Sequence, residues 1–136
     1  MKYWLISLPR EDTEHCIKLG VFGRSQRHVL GKVEQGDKLA FYVTKDRKIV
    51  ALGEATSEYY YDEKKIFHAD GVFPHRFDFK AERLSAEYDF MQIIDRMSFI
   101  TNLAYWSVYL RLGLKEISRD DWKLIQSESS KRVNVV

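Results

Sequence analysis

Two adjacent stretches decide the fold: Gly36-Asp37-Lys38-Leu39-Ala40-Phe41-Tyr42-Val43 and Ile49-Val50-Ala51-Leu52-Gly53-Glu54-Ala55-Thr56. The Gly-Asp pair at their start predicts a turn. A strand follows over 38–44, and because side chains alternate along a strand, Leu39, Phe41 and Val43 share one face. Residues 45–48 are all charged and predict a hairpin tip, from which a second strand returns over 49–57. Gly53 in that strand indicates a bulge or a close backbone approach.

A second alternating stretch lies at 72–80, where aromatic residues and His75 face one way while Arg76, Asp78 and Lys80 face the other. We therefore expect a core face made by two strands. Its predicted members are Leu39, Phe41, Val43, Phe77 and Phe79. Residues 2–7 are apolar on both faces, as is typical of a central strand, and Trp4 is expected to be a core residue.

Short helices are predicted between the strands. One covers 10–19 and ends at Gly20, and others cover 26–33 and 90–97. The last helix begins at the capping box of residues 118–121. Residues 21–25 are expected to form a loop, and 105–110 favour a strand over a helix. Four or five strands alternating with helices predict an α+β fold, a strongly bent sheet or small barrel with short helices at its ends.

Composition narrows the class of protein. The 136 residues include 3 Trp, 8 Tyr and 8 Phe, which excludes intrinsic disorder, and a single cysteine excludes a disulfide scaffold. No apolar run approaches the roughly 20 residues of a membrane span, and the apolar start is too short for a signal peptide, so we expect a cytoplasmic protein without membrane contact. Without an internal linker, residues 1–130 are expected to form one domain, followed by a tail at 131–136.

Catalytic patterns are weak. No phosphate-binding loop or dinucleotide fingerprint is present. Cys16 and His15 are neighbours on a predicted helix and diverge, so Cys16 is expected to be a core residue and not a nucleophile. The residue types His68, Asp70 and His75 suit a metal, but their spacing fits no rigid ligand pattern. We therefore expect His75 to be a hydrogen-bonded interior histidine, and the protein to have no metal, no cofactor and no catalytic residue.

The stretch Val21-Phe22-Gly23-Arg24-Ser25-Gln26-Arg27-His28 carries the clearest functional pattern. It combines a flat aromatic ring, a glycine that permits close approach and three basic or potentially basic groups ahead of a predicted helix. An aromatic face beside arginine suits the stacking of an unpaired base and the binding of phosphate. The residues leave open a surface loop whose Phe22 packs into the core.

Several of these segments together resemble an EVE domain, a member of the PUA-like superfamily that also contains YTH and ASCH domains. They are Tyr3-Trp4-Leu5-Ile6, Gly20-Val21-Phe22-Gly23, the stretches 36–43 and 49–56 quoted above, Phe73-Pro74-His75-Arg76-Phe77 and Tyr105-Trp106-Ser107. The resemblance covers residues 2–126. It implies a PUA-like pseudo-barrel of about five to six bent strands with short helices at the ends, and no catalysis.

The resemblance also implies a site for an unpaired or modified base, in a cleft between the end of the first strand and the chain after the first helix. Phe22 takes the position of a cage tryptophan in relatives. A second wall comes from one of four aromatic residues. The expected cleft residues are Ser7, Leu8, Pro9, Phe22, Gly23, Tyr59, Tyr60, Tyr61 and Trp106. The expected phosphate contacts on a basic rim are Arg24, Arg27, His28 and Lys32. Pro9 has no N–H to donate, which departs from the relatives.

The expected function is therefore non-catalytic nucleic-acid binding, with an unpaired or modified base in an aromatic cleft. Two other hypotheses stay open: a nucleotide- or metal-dependent hydrolase that uses His68, Asp70 and His75, and a peptide-binding interaction domain. The sequence does not distinguish RNA from DNA, and it does not fix the modification or the oligomeric state.

Overall fold

A computed structural model describes residues 1–100 and 113–133. The strands are β1 (Tyr3–Leu8), β2 (Val21–Arg24), β3 (Lys38–Val43), β4 (Lys48–Ala55), β5 (Tyr60–Tyr61), β6 (His75–Asp89) and β7 (Leu114–Ile117). The α-helices are α1 (Arg10–Leu19) and α2 (Arg119–Val133), and short 3-10 helices cover His28–Lys32, Phe90–Gln92 and Ile94–Arg96. Among these helices, none has the length and apolar character needed to cross a bilayer.

The strands form one mixed sheet in the order β2-β6-β4-β3-β1-β7, and β5 pairs with the start of β6. β1 runs parallel to β3, and every other pairing is antiparallel. The sheet curls into a half-barrel, which confirms the predicted α+β pseudo-barrel. The register shifts where β4 has one extra residue against β3 and where β6 has extra residues against β4, and such irregularities bend strands and increase their twist.

Both faces of the sheet are buried. Trp4 and Ile6 of β1 join the core inside the curl, while Leu5 between them joins a second core with Trp122 and Ile125 of α2. This explains why β1 is apolar on both faces and confirms its central position, between β3 and β7. The five predicted core residues, Leu39, Phe41, Val43, Phe77 and Phe79, are all buried, as the alternation predicted.

Some local predictions are wrong. Residues 21–24 form the strand β2, because β6 supplies hydrogen bonds that no local pattern reveals. Residues 26–33 and 90–97 contain only short 3-10 helices, and β6 continues to Asp89, well beyond the predicted end at residue 80. α2 spans Arg119–Val133, and the domain end at residue 130 stays a prediction. The predicted strand 105–110 lies outside the described residues.

The predicted turn at Gly36-Asp37 ties the sheet together through a buried carboxylate. Asp37 is 1% exposed and accepts hydrogen bonds from the backbone N–H of Lys2 at 2.9 Å, from Trp4 Nε1 at 3.0 Å and from the backbone N–H of Glu34 at 2.9 Å. Lys2 and Trp4 belong to the start of the chain, and Glu34 precedes β3. One carboxylate therefore fixes the register of the parallel β1–β3 pair.

The start of α1 is held by Arg10. Its guanidinium donates to Asp46 in the β3–β4 turn at 2.8 Å and to Glu87 of β6 at 2.7 Å. The helix ends at Gly20, as predicted: Gly20 has φ +71° and donates to the carbonyl of Cys16. α1 is thus fixed at both ends before β2 begins, and this places its side chains over the end of β1.

Asp37→Ala should lower the free energy of unfolding by about 3 kcal/mol, because it leaves three N–H donors without their acceptor and each buried orphan costs about 1–3 kcal/mol. Urea denaturation measures the loss. The control is Asp46→Ala, which removes an exposed ion-pair partner of Arg10 and should cost less than about 1 kcal/mol. Equal losses in the two variants would contradict the anchoring role of Asp37.

Candidate functional site

A pocket of about 100 Å³ opens between α1, the end of β1 and the β5–β6 connection; we call it the α1 pocket. Its wall is mainly apolar, with three polar side chains at one side. It is lined by Leu8, Asp12, His15, Cys16, Gly23, Phe67, His68, Ala69 and Phe73. The elements thus bring the strand end and the chain after α1 together, as the expected cleft required, but the aromatic walls come from the β5–β6 connection.

Gly23 allows this connection to close on β2. A β-carbon at Gly23 would lie 2.6 Å from Phe67 Cε2 and 2.8 Å from the carbonyl oxygen of Phe73, distances that no side chain tolerates. The rings of Phe67 and Phe73 meet edge to face, with centroids 5.8 Å apart. The glycine is therefore required for the floor of the pocket, where an aromatic ring approaches backbone directly.

A buried arginine holds the connection in place. Arg76 of β6 is 1% exposed, and its Nε donates to the carbonyl of Phe73 at 3.0 Å. Its Nη2 donates to the carbonyl of Val72 at 2.9 Å and to the carbonyl of Lys64. The guanidinium carbon lies 5.3 Å from the centroid of Phe67. One side chain thus orients both aromatic walls of the α1 pocket.

Phe73 has a strained backbone. Its φ is +50°, in the left-handed region that bulky residues rarely adopt. The hydrogen bond from Arg76 to the Phe73 carbonyl compensates for this conformation. Strained residues of this kind concentrate at ligand-binding sites, where the fold imposes a side-chain direction that the local chain would not choose.

The polar side of the α1 pocket consists of Asp12, His15 and His68. His68 Nε2 lies 3.3 Å from Asp12 Oδ1. The rings of His15 and His68 meet edge-on, with their centroids 4.3 Å apart. The backbone N–H of His68 donates to His15 Nε2 at 3.3 Å, so this nitrogen acts as an acceptor. The pocket therefore offers a carboxylate acceptor and imidazole groups above an apolar floor.

Cys16 is a buried core residue, as predicted. Burial and the nearby Asp12 carboxylate raise the pKa of its thiol to about 12, so it stays protonated at neutral pH. His68 contacts His15, whereas His75 contacts tyrosines, so the proposed hydrolase histidines do not converge. Within residues 1–100 and 113–133, no three His, Cys, Asp or Glu side chains form a metal-binding cluster.

Phe22 is not a wall of the pocket. It is 1% exposed and packs on Phe77 with ring centroids 5.5 Å apart, so the prediction that it lies in a solvated cleft is wrong. The reason is the alternation of β2, which turns Phe22 into the core and Gly23 towards the pocket. Of the other expected cleft residues, Leu8 and Gly23 line the pocket, Ser7 is buried and Pro9 is exposed before α1.

The expected tyrosine walls lie elsewhere. Tyr59 hydrogen-bonds His75 Nδ1 at 2.8 Å, and Tyr60 donates to Asp78 Oδ1 at 2.6 Å. Tyr61 is 55% exposed. None of the three lines the α1 pocket. Trp106 lies outside the described residues.

The expected basic rim is also displaced, since the described lining of the α1 pocket contains no lysine or arginine. Arg24 and His28 border a separate groove of about 450 Å³ with Lys115 of β7. Arg27 lies over the ring of Tyr59, and Lys32 is exposed. The predicted phosphate contacts therefore lie outside the α1 pocket, and of the four only Arg27 is seen against a tyrosine ring.

Four important residues were missed from the sequence: Asp12, Phe67, Phe73 and Arg76. Phe67 lies in a segment without periodicity, Phe73 was assigned to a strand, and Arg76 was placed on a polar face. The available signal for Phe73 was Pro74, which breaks strand pairing. No local signal distinguishes Arg76 from an exposed strand arginine.

Phe22→Ala should cost roughly 3–5 kcal/mol of unfolding free energy, because it leaves a cavity beside Phe77. Urea denaturation measures this loss of unfolding free energy. The control is Val29→Ala, which shortens an exposed side chain. A loss below about 1 kcal/mol would show that Phe22 is not a core residue in solution.

Arg76→Met should leave three part-buried carbonyls of the β5–β6 connection without their donor and so loosen that connection. We expect faster cleavage by trypsin after Lys64 and Lys65, which lie in that connection. Arg83→Met is the control, because Arg83 belongs to the same strand and is half exposed. Equal cleavage of the two variants would contradict the role of Arg76.

Several known proteins share this architecture. The family model of the EVE domain matches residues 2–128. A UPF0310 protein of Pyrococcus abyssi is 34% identical over an alignment 141 residues long. The alignment covers 93% of this chain and 99% of that protein. The structure of human THYN1 in complex with 5-methylcytosine-containing DNA has a TM-score of 0.65 at 14% identity, covering 95% of this chain and 98% of THYN1. The Mmi1 YTH domain in complex with RNA has a TM-score of 0.69 at 9% identity, covering 96% of this chain and 78% of that domain. The match along nearly the whole chain, together with the half-barrel fold, shows that the protein belongs to the EVE domain family.

Proposed function

We propose that this EVE domain is a non-catalytic module that binds single-stranded or locally opened nucleic acid and accepts one unpaired or modified base in the α1 pocket. The observation that carries the proposal is the floor of that pocket, where Phe67 and Phe73 meet over the bare backbone of Gly23. A flat ring fits such a surface, because nucleobases stack on aromatic side chains.

Asp12 favours bases that donate a hydrogen bond to the pocket. A carboxylate accepts hydrogen bonds and donates none, and the exocyclic amino groups of cytosine and adenine are suitable donors. Asp12 lines the pocket from α1, whose position Arg10 fixes. We therefore infer that the bound base carries an exocyclic amino group, as cytosine, adenine and guanine do, and that the apolar wall of Leu8 and Phe67 faces any added methyl group.

The neighbours in structure support this class of ligand. THYN1 is described with DNA that contains 5-methylcytosine, and the Mmi1 YTH domain with RNA. For this chain, we infer that the phosphate contacts come from the half-buried Arg24 and the exposed Arg27, His28 and Lys32, since the described lining of the α1 pocket contains no lysine or arginine. Specificity and electrostatic attraction then reside on separate surfaces of the domain.

Asp12→Asn should weaken binding of a pentanucleotide with a central cytosine or adenine about tenfold, because a charged acceptor is lost. Fluorescence anisotropy at low salt measures this for five central bases: cytosine, 5-methylcytosine, adenine, N6-methyladenine and uracil. Glu11→Gln is the matched control: Glu11 also lies near His68, at 3.6 Å, but does not line the pocket.

Two results would contradict the proposal. One is the absence of binding to every oligonucleotide at low salt while the protein remains folded. The other is that Asp12→Asn and Glu11→Gln change the affinity equally, or that the uracil-centred strand binds as tightly as the best strand with an amino-bearing base. Either finding would show that the Asp12 carboxylate does not select the base.

A further inference from the structure

Gly23 of β2 and Arg76 of β6 share one face of the sheet. A second aromatic surface lies on the opposite face. The register pairs His75 with Arg24 of β2 on one side and with Tyr61 of β5 on the other. Residues that oppose each other directly in an antiparallel pair share a face, so these three side chains extend from the same face of the sheet. Gly23 pairs with Arg76 on the other face, where the α1 pocket lies.

The side chains of this surface are held in a fixed arrangement. The rings of Tyr59 and His75 stack with centroids 5.8 Å apart and planes 15° apart, and the Tyr59 hydroxyl bonds His75 Nδ1. Tyr61 meets His75 edge-on at 5.3 Å. The guanidinium carbon of Arg27 lies 4.6 Å from the centroid of Tyr59. We call Arg27, Tyr59, Tyr61 and His75 the tyrosine–histidine surface.

Tyr61 leaves a large aromatic area in solvent. It is 55% exposed, and its hydroxyl donates to Glu63 Oε1 at 2.7 Å, which restrains the ring. The adjoining segment 24–32 contributes two arginines and a lysine and contains no acidic residue. Arg27 lies over Tyr59, and both Tyr59 and Tyr61 contact His75, so the exposed ring of Tyr61 and this guanidinium belong to one surface, with the Glu63 carboxylate at the Tyr61 hydroxyl. An aromatic ring and a guanidinium on one surface suit a nucleotide, whose base stacks and whose phosphate is negative.

The chain connects the tyrosine–histidine surface directly to the α1 pocket. Phe73 lines the pocket, Pro74 follows, and His75 belongs to the surface; likewise Gly23 is followed by Arg24. The two sites are therefore separated only by the start of β6. The start of β6 is paired with β2 on one side and β5 on the other, so a strand with one base in the pocket reaches the opposite face past Pro74, where the chain enters β6.

We propose that the tyrosine–histidine surface binds the nucleotide adjacent to the one in the α1 pocket, with Tyr61 stacking on its base and Arg27 contacting its phosphate. This inference rests on the proposed function. It narrows the ligand to a strand of at least two nucleotides and excludes a free nucleotide as the preferred ligand.

The test compares d(TT-5mC-TT) with 5-methyl-dCMP, by calorimetry or anisotropy competition, on the full chain. Tyr61→Ala should weaken binding of the pentanucleotide about tenfold and leave binding of the mononucleotide unchanged. Tyr61→Phe keeps the ring and should retain the affinity. Arg27→Gln should lower the slope of log affinity against log salt by about 0.7, the value for one phosphate contact on a single strand.

The outcomes separate the two proposals. If Tyr61→Ala leaves both affinities unchanged while Asp12→Asn weakens both, the flanking site is wrong and the pocket stands. If Tyr61→Ala weakens both ligands equally, Tyr61 belongs to the base site itself and the flanking site is again wrong. If the unmodified protein binds neither ligand at low salt, the proposed function fails and this inference fails with it. Tyr61 is exposed, so melting temperatures near that of the unmodified protein are expected.

Discussion

The site depends on the burial of a single permanent charge. Arg76 cannot lose its proton at physiological pH, so its guanidinium must be hydrogen-bonded wherever it is buried. The carbonyls of Lys64, Val72 and Phe73 provide those bonds. If the β5–β6 connection moved away, both the charge and these carbonyls would lose their partners. The connection is therefore held over β2, and the α1 pocket exists before any ligand binds.

β6 separates two chemical environments. On one face, Gly23 and the two phenylalanines form a small apolar pocket with an acidic acceptor. On the other, Arg27 and Tyr61 lie on an exposed surface with His75. In nucleic-acid recognition, phosphate contacts supply most of the attraction and base contacts supply the selectivity. Under the proposed function, the alternation of one strand assigns these two tasks to opposite faces of the sheet.

The sequence predicted what its alternation and turns encode. Phe77 and Phe79 are buried because they continue one face of a strand, and Gly20 ends α1 because a left-handed cap is required there. Gly53 lies against β6, where a β-carbon would come within 2.5 Å of the Lys80 carbonyl, so the predicted close approach is confirmed. Each of these features was predicted from the residue itself and the residues next to it in the sequence.

The site could be predicted only in part, because its walls come from distant segments. The position of Gly23 beside the end of β1 was correct, but Phe22 was assigned to the pocket although β2 turns it inwards. That direction depends on pairing with β6, more than 50 residues later in the chain. Likewise, Phe67 reaches the pocket only because Arg76 folds its segment back, and no local pattern encodes that contact.

The proposed function requires that a base enter the α1 pocket. The most direct measurement is a titration of ¹⁵N-labelled protein with d(TT-5mC-TT), following backbone amide shifts by NMR. We expect saturable shifts at Asp12 of α1, Gly23 of β2 and His68 of the β5–β6 connection, three residues that line the pocket. Shifts confined to the groove between α2 and β6, at Lys80, Gln126 and Ser130, with those three amides unchanged, would contradict it.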